Sequence, residues 1–429
     1  MEPLSASLTS YVPRWVIKSL RERWVSEDRP FALKRRASAL FLDVADFTEQ
    51  TGKFASRGAR GAEDLSTILN GCFSVLTDTI NDYDGDIVAF AGDGLLVLWE
   101  EPDVRTAALL AASCALAFQD ALSDWARSTQ QDLRVRVSIE VGEVFLCRVG
   151  GVDARWHYLV AGSPIRLACA AYHKADIGKV ILCPAARRAI GELCVGKIVD
   201  ADFLEVTRVV APMRGALSKS DKSFQPEELQ FLLPKVVLDR ANFGAGRWLA
   251  EFRRLTIVSI QLGNLGPDGN ILDKLQKATL AIQNISARFE GTVLNILMND
   301  KGISVILVFG LPPLGHSDDA LRAIEAAWAV RRIHKSNDIT ASIGVATGRV
   351  FCGECGGHTR REYSILGQTI NLSARLMVVA EDEVLCDLVT STSIDRRITF
   401  SALGNVQLKG WTQPVPVGSR PPGFQATDA

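Results

Sequence analysis

Phe41-Leu-Asp-Val-Ala-Asp-Phe-Thr48 is the stretch around which the rest of the chain can be interpreted. Apolar and β-prone residues 39–42 predict a buried strand, and Asp43 stands where that strand ends. A carboxylate at a strand end, beside a turn with free N–H groups, can hold a divalent cation and its phosphates. An aspartate is also a common turn residue, so this interpretation needs support from elsewhere in the chain.

Length, charge and cysteine usage restrict the class of protein. The chain has 429 residues, of which 47% are hydrophobic, and this length predicts two or three domains. A formal net charge of −1 argues against nucleic acid or an anionic membrane as the main partner. No apolar run reaches the roughly 20 residues of a membrane span, and no secretory signal pattern is present. Nine scattered cysteines favour reduced thiols, so we expect a cytoplasmic protein.

Hydrophobic periodicity predicts a β-α-β-β-α-β order in the first half, which is typical of a ferredoxin-like α+β fold. Gly92-Asp93-Gly94 predicts a tight hairpin turn between two of the strands. In chain order, we predict a strand over 39–42, a basic loop over 51–61, a helix over 62–80, a hairpin over 86–99, a helix over 104–122, strands over 133–141, 144–149 and 157–160, a helix opened by residues 161–164, and a last strand over 179–183.

The second half repeats the first. Residues 254–261 mirror residues 36–43 at an offset of 218, whereas three later segments repeat at offsets of 205 or 206. The change in offset predicts a dozen additional residues in the first copy, in the glycine- and arginine-rich loop near 51–61. The sequence therefore predicts two copies of one α/β unit.

These patterns give a domain prediction. The N-terminal part contains a short amphipathic helix near 15–24 that we expect to cover the first domain. The predicted boundaries are 1–34 for an N-terminal extension, 35–202 for the first domain, 203–250 for a linker, 251–418 for the second domain and 419–429 for a tail.

The two copies differ where acidic residues could act. Asp43 in the first copy corresponds to Gln261 in the second. Asp93 lies in a tight predicted turn, whereas the second copy is expected to have a longer turn over 298–302. The first copy therefore holds two carboxylates at positions where the second copy has no matching pair.

The helix after the last glycine turn shows the opposite difference. Asn371 and Arg375 are four residues apart in the second copy and so share one helix face, whereas Arg166 and Ala170 occupy those places in the first. If the copies pack about a pseudo-two-fold axis, one cleft collects both carboxylates and the Asn/Arg pair. Packing alone does not explain such complementary loss.

Three of these segments, FLDVADFT, GDIVAFAGDGLLVLW and EYSILGQTINLSARL, together resemble the catalytic domains of class III nucleotidyl cyclases. The detailed resemblance is to the tandem catalytic halves of soluble adenylyl cyclases, over roughly residues 30–200 and 250–415. The resemblance implies two cyclase domains that form an intramolecular pseudo-heterodimer. It also implies conversion of ATP to 3′,5′-cyclic AMP and pyrophosphate at the interface of the two domains.

The resemblance also implies roles for individual residues. Asp43, the Val44 carbonyl and Asp93 correspond to ligands of two divalent cations, Mg²⁺ or Mn²⁺, which lower the pKa of the attacking hydroxyl. Arg375 corresponds to the group that stabilises the transition state, and Asn371 to the group that orients the ribose. The other implied nucleotide-binding residues are Phe47, Thr48, Arg136, Asn295, Ser364, Ile365 and Lys409. Asp46 departs from the glycine that the family often has in the phosphate turn.

Base choice is the least determined part of the sequence interpretation. Ser364 fits the adenine pattern, but Asn295 stands where that pattern has lysine, and both side chains can donate or accept hydrogen bonds. We expect ATP, with guanylyl cyclase activity or nucleotide binding without turnover as alternatives. The resemblance implies a bicarbonate site in the second, pseudo-symmetric cleft, which lacks the carboxylates and the Asn/Arg pair. Ala89 and Cys169 replace the charged residues of that site. Since one chain supplies both halves, we expect a monomer.

Overall fold

The computed structural model describes two compact units. Its described residues are 8–24, 29–45, 54, 57–131, 133–200, 202–215, 229, 231–233, 236–238, 250–265, 271–394, 401–408 and 413–419. The first unit comprises Met1–Glu251 together with Leu297–Lys301 and Phe351–Leu366. The second unit comprises Phe252–Ile296, Gly302–Val350 and Gly367–Ala429.

The first sheet has eight strands in the order β2-β3-β1-β4-β6-β8-β7, with β5 paired to β4. Its strands are β1 (Phe31–Val44), β2 (Asp86–Ala91), β3 (Gly94–Trp99), β4 (Val135–Gly150), β5 (Trp156–Ala161), β6 (Val180–Leu182), β7 (Cys194–Val199) and β8 (Phe203–Val209). The helices of this part are α1 (Arg14–Arg21), α2 (Gly58–Asp82), α3 (Val104–Thr129), α4 (Ser163–Ala171) and α5 (Pro184–Ile190).

The second sheet has the same order, β10-β11-β9-β12-β14-β16-β15, with β13 paired to β12. Its strands are β9 (Glu251–Gly263), β10 (Thr292–Asn299), β11 (Gly302–Phe309), β12 (Thr340–Gly356), β13 (Arg361–Leu366), β14 (Val384–Asp387), β15 (Ser401–Val406) and β16 (Val415–Ser419). The helices are α6 (Leu272–Arg288), α7 (Asp319–Ser336), α8 (Gln368–Val379) and α9 (Leu388–Ser393). Equal strand orders confirm the predicted repeat and the two α+β domains.

The additional residues of the first copy lie partly in a helix. Residues 58–61, predicted as loop, form the first turn of α2, which has 25 residues against 17 in α6. Thirteen residues separate β1 from α2, and eight separate β9 from α6. An ion pair of 2.7 Å between Arg57 and Asp64 lies at the start of α2. The loop prediction was therefore wrong for its last four residues.

Three strand predictions also need correction. Residues 135–150 form one continuous strand, β4, in place of two separate strands, because β4 pairs with β1 along its length. Residues 179–183 do not hold the last strand of the first copy, since β7 and β8 follow and extend the same sheet. The turn over 298–302 is not longer than its counterpart: β10 ends at Asn299 and β11 begins at Gly302, which leaves two residues, as at Gly92-Asp93.

Helix α3 is the one described helix that is long and apolar enough, by length and composition, to cross a membrane. In its most apolar window 61% is buried inside the fold, and its buried face includes Leu109, Leu110, Phe118 and Leu122. It packs on β1 and β4 of the first sheet. This is the environment of a core helix, and a core helix can be as long and as apolar as one that crosses a membrane.

Helix α1 covers part of the first unit, as predicted for this region. Trp15, Val16 and Ile17 are buried. Its start is held by Asp86, whose carboxylate accepts the backbone N–H groups of Arg14 at 2.9 Å and Trp15 at 2.7 Å. Because the first N–H groups of a helix have no partner within the helix, this aspartate acts as a cap supplied by β2.

Candidate functional site

Asp43 and Asp93 are neighbours at one end of the first sheet. Asp43 lies opposite Gly94 on β3 in the antiparallel register. The Val44 N–H donates to the Asp93 carbonyl oxygen at 3.2 Å, which fixes the hairpin turn against the end of β1. The Asp43 side chain is 20% exposed, so its carboxylate is accessible to a ligand. The structure thus brings together the two aspartates that the sequence predicts as metal ligands.

Two glycines allow this close arrangement. Gly92 has φ of +69°, a left-handed conformation that glycine adopts without strain, and it forms the turn with Asp93. At Gly94, a Cβ atom would lie 2.6 Å from the carbonyl oxygen of Leu42. A side chain at either position would therefore disturb the turn that carries Asp93.

Arg136 places a positive charge beside this pair. It lies opposite Asp43 on β4, and its Nη1 atom is 3.9 Å from Asp43 Oδ2. Both side chains are partly exposed, so this ion pair is loose and screened by solvent. Arg136 is therefore next to the predicted metal ligands, at a distance that leaves its guanidinium able to bind phosphate as well.

The donor set fits a hard divalent cation. Mg²⁺ is usually held in proteins by one or two carboxylates, with waters and substrate phosphates as the other ligands. Asp43 and Asp93 provide such a pair, and the Val44 backbone belongs to the same turn region. Within the described part of the chain, no group of three or more His, Cys, Asp or Glu side chains could form a more complete protein cage.

Asn371 and Arg375 lie on α8 in the second unit. The helix follows Gly367, whose φ is 139°, and buries Ser373, Leu376 and Met377. A hydrogen bond of 2.8 Å between the hydroxyls of Ser259 and Ser373 attaches α8 to β9. Asn371 and Arg375 are each partly exposed and, four residues apart, lie on one helix face.

Asn295 on β10 has an unsatisfied acceptor. Its Oδ1 atom is buried and has no hydrogen-bond partner among the described residues. A buried polar atom without a partner is unfavourable, so this oxygen suits a donor supplied by a bound molecule.

Ser364 and Ile365 lie on β13, opposite Gly353 and Cys352 of β12. Both are buried. Burial raises the pKa of the nearby Cys355 thiol to about 12, although a hydrogen bond with Ser364 acts in the opposite direction. Cys355 is therefore a neutral partner of Ser364, and the thiol is not poised for redox or metal chemistry.

Four positions of the sequence interpretation fall outside the described residues. These are Asp46, Phe47 and Thr48 of the predicted phosphate turn, and Lys409. Their roles stay predictions. Cys169, which replaces a charged residue of the implied bicarbonate site, is buried, and burial raises the pKa of its thiol to about 12.

Sequence interpretation missed a largely buried ion pair that contacts the hairpin formed by β2 and β3. Arg360 is 7% exposed, and its Nη2 atom lies 3.6 Å from Glu362 Oε2. Its Nε atom donates to the carbonyl oxygen of Ile87 on β2 at 3.0 Å, and its Nη1 atom to that of Tyr11 at 3.1 Å. The only sequence signal was the run of three charges, Arg360-Arg361-Glu362, at the start of β13.

Comparison with known proteins agrees with these features. The sequence model described as "Adenylate and Guanylate cyclase catalytic domain" matches residues 32–206 and 317–417, which together exceed half of the chain. The chain belongs to this family. The match in two segments confirms the resemblance to tandem class III cyclase domains.

Two relatives and one solved structure illustrate the similarity. Adenylate cyclase type 10 of Homo sapiens is 30% identical over 405 residues, which are 85% of this chain and 25% of that protein. The Mus musculus protein of the same name is 29% identical over 433 residues, 91% of this chain and 27% of that protein. The chain thus spans about a quarter of the length of these relatives. A class III adenylyl cyclase-like ATP-binding protein from Pseudomonas aeruginosa has the same fold, with a TM-score of 0.60 at 13% identity, covering 85% of this chain and 86% of that one.

Proposed function

We propose that this member of the cyclase family converts ATP to 3′,5′-cyclic AMP and pyrophosphate. The observation that carries the proposal is the proximity of Asp43 and Asp93 in the backbone. Asp43 lies opposite Gly94, next to Asp93, and the Val44 N–H donates to the Asp93 carbonyl oxygen. Two aspartates at neighbouring backbone positions can supply the carboxylates that hold the metal ions of such a phosphoryl reaction.

The reaction forms a bond between the ribose 3′-oxygen and the α-phosphorus, and it breaks the bond to the leaving pyrophosphate. Mg²⁺ or Mn²⁺ held by Asp43, Asp93 and the Val44 carbonyl would lower the pKa of the 3′-hydroxyl and neutralise the triphosphate. Arg375 stabilises the negative charge that develops on the α-phosphate, and Asn371 orients the ribose for attack. Arg136, beside Asp43, binds phosphate oxygens.

In this proposal the substrate is bound by residues from both repeats, which act as a pseudo-heterodimer within one monomeric chain. The first repeat supplies the carboxylates, and the second supplies Asn371, Arg375 and the base-binding residues. Complementary loss in the two copies supports the arrangement, because neither copy holds a complete set. The predicted domain boundaries and the cytoplasmic location belong to the same proposal, as does a role in cyclic AMP signalling.

Adenine is the proposed base. The full-length relatives are named adenylate cyclases, and the buried Asn295 Oδ1 atom can accept a hydrogen bond from the exocyclic amine of adenine. Guanine also presents N–H donors, so the measured preference between ATP and GTP decides this part of the proposal.

The test is an assay of the purified chain with ATP or GTP and with Mg²⁺ or Mn²⁺, with products separated by chromatography and identified by mass. Asp93→Asn should reduce cyclic AMP formation at least about 100-fold, because one of two metal-binding carboxylates is lost. Asp300→Asn is the matched control, since Asp300 occupies the corresponding turn of the second repeat and should leave activity unchanged.

Three outcomes contradict the proposal in different ways. Cyclic GMP as the main product would make the chain a guanylyl cyclase. Nucleotide binding by calorimetry without turnover would make it a binding protein. Equal loss of activity in the two variants would show that the carboxylate pair at Asp43 and Asp93 has no special role.

A further inference from the structure

Helix α8 lies unusually close to strand β12 at Gly344. A Cβ atom at this glycine would be 2.0 Å from the Ser373 carbonyl oxygen and 2.4 Å from the Met377 backbone nitrogen. Real Cβ atoms essentially never approach another heavy atom within 3.0 Å. The helix backbone therefore lies about 1 Å closer to the strand than any residue with a side chain would permit.

The first repeat has a different contact at the corresponding place. Ser138 corresponds to Gly344 at the repeat offset of 206, and Ala168 corresponds to Ser373 at 205. The Ser138 hydroxyl donates to the Ala168 carbonyl oxygen at 2.7 Å. In that repeat a side chain stands between the strand and α4, and its hydrogen bond holds the helix at that separation.

The serine hydroxyl at this contact therefore comes from the strand in the first repeat and from the helix in the second. In the second repeat the strand has no side chain, and the serine is on the helix, where Ser373 bonds to Ser259 of β9 at 2.8 Å. Serine on the strand separates helix from sheet, whereas serine on the helix draws α8 toward β9. Both changes favour a closer approach of α8 to its sheet, and both occur in the repeat that carries Asn371 and Arg375.

We propose that Gly344 is a positioning residue for Asn371 and Arg375. Ser373, the point of closest approach, lies midway between them on α8, two residues from each. The depth of the helix therefore sets where both side chains reach. The inference rests on the proposed function, because the position of Arg375 matters to turnover only if this residue acts on the transition state.

The first test is Gly344→Ala in the full chain. The methyl group forces α8 away from β12 by about 1 Å, a displacement that can lower kcat about 100-fold in a preorganised site. KM for ATP and the affinity for 3′-deoxy-ATP, which lacks the attacking hydroxyl, should change by less than about threefold. This separation of kcat from binding distinguishes positioning from general damage.

A second variant addresses the case in which Gly344→Ala does not fold. Gly344→Ser combined with Ser373→Ala reproduces the first repeat's contact, in which a strand serine bonds to the helix carbonyl. We expect this double variant to fold, to show α8 farther from β12 in a crystal structure, and to lose kcat at least about tenfold. Ser138→Ala is the matched control, because α4 carries none of the proposed site residues; its kcat should stay within about twofold of the parent chain.

Two results would overturn the inference. One is a displaced α8 with kcat retained within about twofold. The other is failure of both variants to fold, which would show that Gly344 is required for folding itself. If the parent chain forms no cyclic nucleotide, the proposed function fails. The crystal structure of the double variant then still decides whether Gly344 sets the helix depth.

Discussion

Arg375 lies on α8, where it shares a helix face with Asn371. The corresponding helix of the first repeat, α4, carries Arg166 but no such Asn/Arg pair. We expect Arg375→Ala to lower kcat about 100- to 1,000-fold with little change in KM, since in the proposed function the guanidinium acts on charge that develops in the transition state. Steady-state kinetics with ATP measures both parameters. Arg166→Ala removes an arginine from the other repeat and should leave kcat unchanged; a similar loss in both variants would contradict the assignment.

Glu140 is a buried carboxylate outside the proposed site. Its Oε1 atom accepts the N–H groups of Val141 and Ala186, both at 2.8 Å, and the second of these caps α5. Burial raises the pKa of Glu140 above its ordinary value of 4.5, although these hydrogen bonds act in the opposite direction. Because the folded state holds the proton more tightly than the unfolded state, wild-type stability falls as pH rises through the raised pKa.

Glu140→Gln keeps the accepting oxygen and removes the charge. The stability of this variant relative to wild type should therefore increase as pH rises from the ordinary value through the raised pKa, and then level off. Urea unfolding of both proteins across this range measures the difference. A difference that does not change with pH would show that the buried carboxylate carries no charge penalty.

At the residue scale, the sequence was sufficient to predict side chains whose positions depend on local features of the chain. Asp43 and Asp93 were identifiable because a strand end and a glycine-flanked turn are local features. Arg360 and Glu362 were not, because their burial depends on which strand lies against them. The unsatisfied oxygen of Asn295 also depends on tertiary packing, so composition and spacing gave no sign of it.

At the scale of elements, strand pairing overrode local signals. Gly142-Glu143 suggested a break between two strands, yet β4 continues through it because β1 pairs with it from Phe31 to Val44. Similarly, the glycines at 58 and 61 suggested a loop, but both lie within the first turn of α2. The helices and strands that the sequence analysis named could be identified from periodicity, whereas β7 and β8 were missed and several element ends were set by partners distant in sequence.

The link between β13 and β2 gives a prediction about stability. Arg360→Met would remove the cationic partner of Glu362 and the donor to the carbonyl groups of Ile87 and Tyr11. This loss should cost about 3 kcal/mol of unfolding free energy. Adding Glu362→Leu removes the remaining charge, so the double variant should be more stable than Arg360→Met alone. Urea denaturation measures all three proteins. A double variant less stable than the single one would show that Glu362 contributes independently of Arg360.

At the scale of the whole molecule, two sheets with the same strand order arise from repeats whose sequences differ at the proposed site positions. The shared apolar pattern was enough to predict the duplicated fold. The proposed distribution of site residues followed from comparing the two copies with each other: one has the two carboxylates and the other has the Asn/Arg pair. A single copy examined alone would have indicated only half of a site.

The proposed site, in which one chain supplies all the residues, predicts that activity does not depend on self-association. Specific activity should stay constant when the enzyme is diluted about 100-fold, because no second copy has to bind and mass action has no effect. Light scattering over the same concentrations should give the mass of one chain, 46.7 kDa. As a control, mixing Asp93→Asn with Arg375→Ala should restore no activity, since each chain carries a defect in its own site. Recovery of activity in the mixture, or its decline on dilution, would show that the carboxylates and Arg375 come from different chains.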